Sequence, residues 1–357
     1  MSASLRLGVI GYGYWGPNLV RNFAAGPRTK VAAIADASAH RRQVAQAQYP
    51  YIKVVDDAST LINDPDIDAV AIATPIFTHH ELAKRALEAG KHVLVEKPLA
   101  PSVAQAEELA QLAEQQKRVL MVDHTFVYTG AVRKIRDVIS KGELGRVLYF
   151  DSVRINLGLF QPDFNVIWDL APHDLTIMDY VLSQTSNPAQ GAGFDGSVTR
   201  GGAHARWVSA IGVSHYARQE NLAYVTVGFD DGLLAHVHVN WVAPVKTRRT
   251  IIAGAAKMLV WDDTSPVEPV KIYESSVDVQ HIDKDQAYAL NVQYRSGDVW
   301  SPKLDGREAL SVMAQTFAAA CLDGAATPSD AAVGVRIVRM LEAAQRSLEQ
   351  QGARIAL

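Results

Sequence analysis

The stretch "LRLGVIGYGYWGPNLVRNFAA", Leu5 to Ala25, decides how the first part of the chain is read. It opens with an apolar run, passes through Gly11-x-Gly13-x-x-Gly16, and enters a helical pattern with Pro17 where a first-turn proline is tolerated. A glycine-rich turn alone says little, because such turns are common. Its context says more: a second apolar strand, "KVAAIAD", ends at Asp36, twenty residues after Gly16. Strand, glycine turn, helix and a strand ending in a carboxylate make up a dinucleotide fingerprint. Gly11 allows the tight turn, Gly13 lets the backbone approach a pyrophosphate, and Gly16 permits close helix–strand packing. The helix N-terminus offers free N–H groups to phosphate. Asp36 can accept hydrogen bonds from both ribose hydroxyls of the adenosine and would repel a 2′-phosphate. NAD is therefore expected rather than NADP, with Arg41 and Arg42 close enough in sequence to soften the preference. Tyr14 and Trp15, inside the loop, are further cofactor-side candidates.

Working outward, the alternation continues. "IDAVAIATP" reads as a buried strand and "THHELAKRALEAG" as a helix ending at Gly90. "KHVLVEKPLA" is another strand, "SVAQAEELAQLAEQQK" a helix with Ser102 as N-cap, and "RVLMVDHTF" a last strand. Such alternation predicts a parallel, doubly wound sheet that binds ligands at the carboxyl ends of its strands. Thr74, His79, Glu96, Lys97 and His124 all fall at or just beyond such ends.

After about residue 125 the rhythm changes. "AVRKIRDVISKGELG" is an amphipathic helix, and strand-like runs follow: "RVLYFDSVRI", "ARWVSAIGVSHY", "LAYVTVGFDDGLLAHVHVNWV" and "RTIIAGAAKMLVWDD". Asp231-Gly232 marks a hairpin turn. Two helical patterns, "EALSVMAQTFAAACLDG" and "AAVGVRIVRMLEAAQRSLEQQG", close the chain. The fold class expected is α/β: an NAD-binding Rossmann domain over 1–124, then an α+β domain over 125–357 with a large, mostly antiparallel sheet. The C-terminal helices are available to pack back on the first domain.

The 357 residues are 48% hydrophobic and 20% charged, with net charge −3, which offers no electrostatic reason to expect nucleic acid or an anionic membrane. The single cysteine, Cys321, excludes an internal disulfide framework and suits a reducing cytoplasm. The N-terminus shows no charged leader or cleavage-site pattern, and no apolar run nears the ~18 residues of a membrane helix. A cytoplasmic protein is expected.

Three ionisable side chains, Asp169, His173 and Asp174, lie close together in "FNVIWDLAPHDLTI", Phe164 to Ile177. Pro172 disfavours a helical Ala171, so a helix is expected to start at Pro172, with Asp169 in the entering loop and Asp174 in the first turn, where a carboxylate suits the dipole. In "HVHVN", His236 and His238 share a strand face with Asn240, read as a polar sheet face rather than a metal site. No metal is expected.

The N-terminal GxGxxG with Asp36, the Glu96-Lys97-Pro98 triplet and the D-x-x-x-H-D segment together resemble the glucose–fructose oxidoreductase / inositol dehydrogenase family (Gfo/Idh/MocA) over essentially the whole chain. "GYGYWGPNLVRNF", "RINLGLFQPDFNVIWDLAPHDL" and "YRSGDVWSPKL" look like its sugar-nucleotide branch, whose members oxidise the 3-hydroxyl of UDP-N-acetylglucosamine or its uronic acid. The resemblance implies that Lys97 is an active-site lysine near the nicotinamide, that Glu96 sits beside the cofactor, and that Asp169 and His173 line the substrate side.

Oxidising a secondary alcohol needs a proton acceptor within hydrogen-bond reach of the hydroxyl. His173 suits that task, since imidazole titrates near neutrality. Lys97 would need a pKa well below the ordinary ~10.4 to be the base, and charged it would instead stabilise a developing alkoxide. His173 is read as the base and Lys97 as the group that positions the hydroxyl, with the reverse assignment open. Arg154, Asn156 and Asn165 are candidate contacts to hydroxyls, an acetamido group or phosphate. The competing functions are an NAD-retaining glycosidase, a 3-ketosugar reductase, and a non-catalytic sugar-sensing regulator. The second domain has too few helices to cover both faces of its sheet, so a homodimer or homotetramer through that sheet is expected.

Overall fold

The computed structural model describes residues 4–158, 160, 163–183, 204–216, 218–230, 232–274, 276–279, 292–295 and 297–357. The chain divides into two compact units, Met1–Thr129 with Gly306–Glu342, and Gly130–Asp305 with Ala343–Leu357.

The first unit begins with β1 (Leu5–Ile10), α1 (Gly16–Ala25), β2 (Thr29–Ala35), α2 (Ala39–Gln48), β3 (Lys53–Val55) and α3 (Ala58–Ile62). It continues with β4 (Ala69–Ile72), α4 (His79–Glu88), β5 (His92–Glu96), α5 (Val103–Gln115) and β6 (Leu120–Asp123). The sheet order is β3-β2-β1-β4-β5-β6, every neighbour parallel. This is the doubly wound topology, with its switch point between β1 and β4. The central strands are apolar along their length because helices cover both faces: Leu7, Val9, Ala69 to Ile72 and Val93 to Val95 are fully buried. Ser102 caps α5 as its sequence predicts, its side chain accepting from the Gln105 N–H. Gly90 follows α4 at φ 72°, the left-handed conformation that favours glycine there.

The second unit opens with α6 (Gly130–Ser140), β7 (Val147–Leu157) and α7 (Val166–Leu182). Then follow β8 (Ala205–Val213), β9 (Leu222–Phe229), β10 (Leu234–Asn240), β11 (Val242–Gly254), β12 (Met258–Asp262), β13 (Val270–Tyr273), β14 (Ser276–Val279), β15 (Val292–Arg295) and β16 (Val299–Trp300). The chain returns to the first unit for α8 (Ala309–Asp323) and the start of α9 (Ala331–Glu349), and ends in the second with β17 (Ile355–Ala356). Nine strands form one sheet in the order β16-β13-β12-β11-β7-β10-β9-β8-β17, antiparallel except for β10 beside β7. β9 and β10 form the hairpin read at Asp231-Gly232, with Asp231 itself outside the described residues.

Alternation splits this sheet into two faces. Ala223, Val225 and Val227 on β9, and Ala235, Val237 and Val239 on β10, are buried on the face packed by α7. The opposite face carries Ile211, Tyr224, His238, Val153 and Arg249 as successive cross-strand partners. There the Tyr224 ring stacks on His238, centroids 4.4 Å apart. Asn240, read from sequence as sharing that polar face, is buried, and its Oδ1 accepts from the Val242 N–H.

The start of α7 corrects the sequence reading. The helix begins at Val166, and Pro172 lies inside it. Asn165 is the N-cap, its Oδ1 accepting from the N–H groups of Ile167 (3.1 Å) and Trp168 (3.3 Å). An interior proline removes one backbone hydrogen bond. Against that stand the cap and an apolar stripe through Val166, Ile167, Ala171, Leu175 and Met178, all buried. Asp169 therefore lies in the first turn and shares a helix face with His173, four residues on. Asp174, expected at the helix start, is mid-helix, and its environment is ionic.

Candidate active site

In the first unit the glycines of the fingerprint differ in what the protein itself requires of them. Gly11 has φ 95°, and a Cβ there would lie 2.5 Å from the Ala73 carbonyl oxygen. A Cβ on Gly16 would collide with the carbonyl oxygen of Gly11, so this glycine brings α1 against the turn. Gly13 is different. A Cβ there would meet only the flexible end of Arg41, at 3.0 Å. No rigid atom of the described protein demands glycine at 13, which fits a backbone kept bare for a ligand's close approach. Pro17 follows at the helix start, as read.

Asp36 is buried at the end of β2, its Oδ2 accepting from the Tyr12 N–H (2.7 Å) and its Oδ1 from the Ser38 N–H (2.8 Å). A carboxylate has about four acceptor sites, so two remain for ribose hydroxyls. Arg42 donates to the Asp36 and Ala37 carbonyl oxygens, whereas exposed Arg41 stands 3.9 Å from the Asp36 carboxylate. Of the two arginines, Arg41 is the one placed to meet a 2′-phosphate. Asp36→Asn is expected to weaken NAD binding about tenfold, near 1.4 kcal/mol, and to narrow discrimination against NADP further. Fluorescence titration of both dinucleotides checks this.

The strand ends gather the other first-unit candidates. Thr74, just beyond β4, shares a 2.6 Å hydrogen bond with Thr78 through the two hydroxyls. His79 is buried, with Nδ1 2.9 Å from the Pro98 carbonyl oxygen and Nε2 2.8 Å from that of Thr74. Both ring nitrogens thus face backbone carbonyl oxygens, and the single N–H of the neutral ring donates to one of them, which makes His79 a brace beneath the Glu96-Lys97-Pro98 turn. The sequence placed it at a strand end, among the cofactor-side candidates. Burial holds its pKa below the ordinary histidine value, and burial lowers that of His124 to about 3. Glu96 closes β5, and its Oε2 accepts from the Lys97 N–H at 3.0 Å. Tyr14 is exposed, its ring stacked near Trp15. Trp15 donates through Nε1 to Asp123 Oδ2 (2.9 Å). Asp123 escaped the sequence reading, although it ends the strand in "VLMVDHTF", one position before His124.

In the second unit Asp169 and His173, both half-buried, sit one turn apart on α7. Asp169 Oδ2 accepts from Trp241 Nε1 at 3.0 Å. Trp241 is itself anchored: its N–H bonds the Asn221 carbonyl and its carbonyl accepts from the Gly158 N–H, both at 2.8 Å. A Cβ on Gly158 would strike the indole, so a glycine stands where the backbone crosses the ring. Sequence reasoning missed Trp241 because its partner lies 72 residues away. Asn156, on β7, sits beside the irregularity in the β7–β11 ladder.

Two candidates read as substrate contacts are committed elsewhere. Arg154 is 2% exposed, its Nε 2.6 Å from Asp174 Oδ2 and its second nitrogen 3.2 Å from Oδ1. Ser152 adds a 2.6 Å bond to the same carboxylate. Arg154 lies on the sheet face that α7 covers, which a strand read without its partner helix does not reveal. Asn165 is 2% exposed, its amide donating to Glu220 (3.0 Å) and Gln345 (2.9 Å) while its oxygen caps α7.

The comparisons bear on family and fold. Residues 5–124 match the family model described as "Oxidoreductase family, NAD-binding Rossmann fold", and residues 132–260 match the Gfo/Idh/MocA C-terminal domain. The chain belongs to the Gfo/Idh/MocA oxidoreductase family. Its first unit carries that family's NAD-binding Rossmann fold. It is 36% identical over 206 residues to an uncharacterized oxidoreductase, YdgJ, of Escherichia coli, covering 53% of this chain and 58% of that one. The chain thus spans little more than half the length of the first curated relatives it matches. Among solved structures, GenD2 from gentamicin A biosynthesis, in complex with NAD, superposes with a TM-score of 0.79 at 21% identity, over 100% of this chain and 97% of its own. UDP-N-acetylglucosamine 3-dehydrogenase GnnA from Acidithiobacillus ferrooxidans superposes at 0.75 and 23% identity, over 98% of each chain. At such identities the likeness is one of fold.

Proposed function

We propose that this family member oxidises a secondary hydroxyl of a sugar, the 3-hydroxyl of a UDP-N-acetylhexosamine or its uronic acid. The observation that carries the reading is Asp169 and His173, one turn apart on α7, with Asp169 held by the indole of Trp241. A proton acceptor with an oriented carboxylate beside it is what removal of a hydroxyl proton requires. NAD, held by the glycine turn and Asp36, supplies the hydride acceptor. His173 takes the hydroxyl proton, Asp169 orients substrate or imidazole, and Lys97 positions and polarises the hydroxyl. Sugar-nucleotide specificity is supported by the sequence resemblance and by the fold shared with GnnA. The physiological compartment in this reading is the cytoplasm; no described helix is long and apolar enough to cross a membrane.

The test follows NADH absorbance with UDP-N-acetylglucosamine, its uronic acid, dTDP-hexoses, free hexoses and inositols, with Lys97→Ala and His173→Ala as controls. NADH formed from a UDP-sugar and lost in both controls supports the proposal. Sugar release without net NADH would instead indicate the NAD-retaining glycosidase.

We further infer a homodimer or homotetramer through the face of the nine-stranded sheet opposite α7. Its support is exposed apolar surface on adjacent strands: Ile211 is 57% exposed, Leu234 48% and Tyr224 36%. Light scattering is expected to give a multiple of the 38.8 kDa chain, and Ile211→Asp to reduce it to one. A monomeric mass for the native protein at working concentration contradicts this.

A further inference from the structure

At the carboxyl end of the first unit's sheet two acidic side chains lie side by side. Glu96 and Asp123 end adjacent parallel strands and are direct partners in the ladder, so both leave the sheet on the same side. Asp123 is 1% exposed, and Glu96 Oε1 is closed off from solvent. Asp123 is well supplied with donors: Trp15 Nε1 at 2.9 Å on one oxygen and Thr125 Oγ1 at 2.8 Å on the other. Among the described residues, Glu96 is given the Lys97 N–H, on Oε2. With both groups ionised, Glu96 Oε1 has no hydrogen-bond partner among the described residues. Neighbouring ladder positions and burial set the two carboxyl groups side by side out of water, where two negative charges repel and one shared proton relieves both groups.

The donor count puts that proton on Glu96. Burial first, and then the charge of Asp123, hold the Glu96 carboxyl well above the usual range, with Lys97 opposing. Burial also raises Asp123, while the bonds from Trp15, Glu96 and Thr125 pull it down. The other charged or titratable groups at this strand end are Lys97, His79 and His124, and the two histidines are kept towards their neutral form by burial.

We propose that Glu96 is a neutral carboxylic acid donating to the Asp123 carboxylate, and that this pair is a positioning device joining Trp15 of the glycine loop to Lys97. One series of bonds runs from the Trp15 indole through Asp123 and Glu96 to the Lys97 backbone. The placement of the loop that receives the pyrophosphate and the placement of Lys97 are therefore mechanically coupled. The kinetic part of this inference rests on the oxidation proposed above, whereas the protonation and the coupling do not.

The variants separate by chemistry. Glu96→Gln keeps a donor towards Asp123 and an acceptor for the Lys97 N–H, so its kcat falls less than that of Asp123→Asn. Asp123→Asn turns one of its acceptors into a donor where the Trp15 indole, Thr125 hydroxyl and Glu96 acid all need acceptors, and kcat falls about tenfold or more. Trp15→Phe removes the indole N–H alone and lowers kcat several-fold, about the cost of one charge-assisted bond. The experiment is infrared difference spectroscopy of the whole NAD-free protein at pH 8, followed by addition of NAD. The expected result is a protonated-carboxyl band in the native protein that is absent in Glu96→Gln. NAD addition shifts this band in the native protein and leaves it in place in Trp15→Phe. Absence of the band, or a band indifferent to NAD in the native protein, overturns the proposal whatever the substrate panel shows. So does a Glu96→Gln variant as slow as Asp123→Asn. Failure of the panel with the band present and NAD-sensitive counts against the dehydrogenase reading alone.

Discussion

Replacing His173 by alanine is expected to lower kcat for the sugar by about 10²- to 10⁴-fold, the usual worth of a positioned general base, with NAD affinity within about a factor of two. The side chain is half-buried on α7, a helix whose apolar stripe and Asn165 cap do not depend on the imidazole. Its loss is therefore read in chemistry rather than folding. Added imidazole is expected to restore part of the rate in this variant, since a missing proton acceptor can be supplied from solution and a misplaced helix cannot. Trp241→Phe, which withdraws the 3.0 Å donor from Asp169, should fall between the native protein and His173→Ala. An alanine variant retaining native kcat would remove His173 from the proton path and leave Lys97 as the base.

The second large effect concerns stability. Arg154 and Asp174 form an ion pair with side chains 3% and 2% exposed, and Ser152 bonds the same carboxylate. Removing one partner of a buried pair strands the other charge, at a cost of about 3–5 kcal/mol. Asp174→Leu should lower the unfolding free energy by that amount in a denaturant titration. Replacing both partners, as Arg154→Met with Asp174→Leu, should recover most of the loss, because a well-packed apolar pair is often as stable as the ions it replaces. A single variant of native stability would contradict the assignment. So would a double variant that loses as much as the sum of its parts.

These two sites show where the sequence was legible. The glycine loop, Asp36 and the strand-end cluster could be read in advance because each follows from local chemistry: a turn needing φ 95° at Gly11, a cap at Ser102, strands apolar throughout. The large antiparallel sheet was legible from its alternation. What failed depended on partners distant in sequence. Arg154 looks available on a lone strand until α7 brings Asp174 to it, and Asn165 looks like a hydroxyl contact until Glu220 and Gln345 close around it. The pre-proline rule at Ala171 is outweighed by a cap six residues earlier, at Asn165 in "NVIW". Asp123 and Trp241 matter through bonds to Trp15 and Asp169, separated from them by 108 and 72 positions.

The most direct test of the proposed chemistry uses UDP-N-acetylglucosamine and its uronic acid carrying deuterium at carbon 3. After incubation with the native protein and NAD, the reduced cofactor is isolated and weighed by mass spectrometry. The expected result is that one of these substrates yields NADH with one hydrogen replaced by deuterium, and that the His173→Ala protein yields none in the same time. NADH formed without the label would move the oxidised position elsewhere on the sugar. No reduced cofactor from either substrate, with NAD bound, would contradict sugar-nucleotide oxidation as the function of this chain.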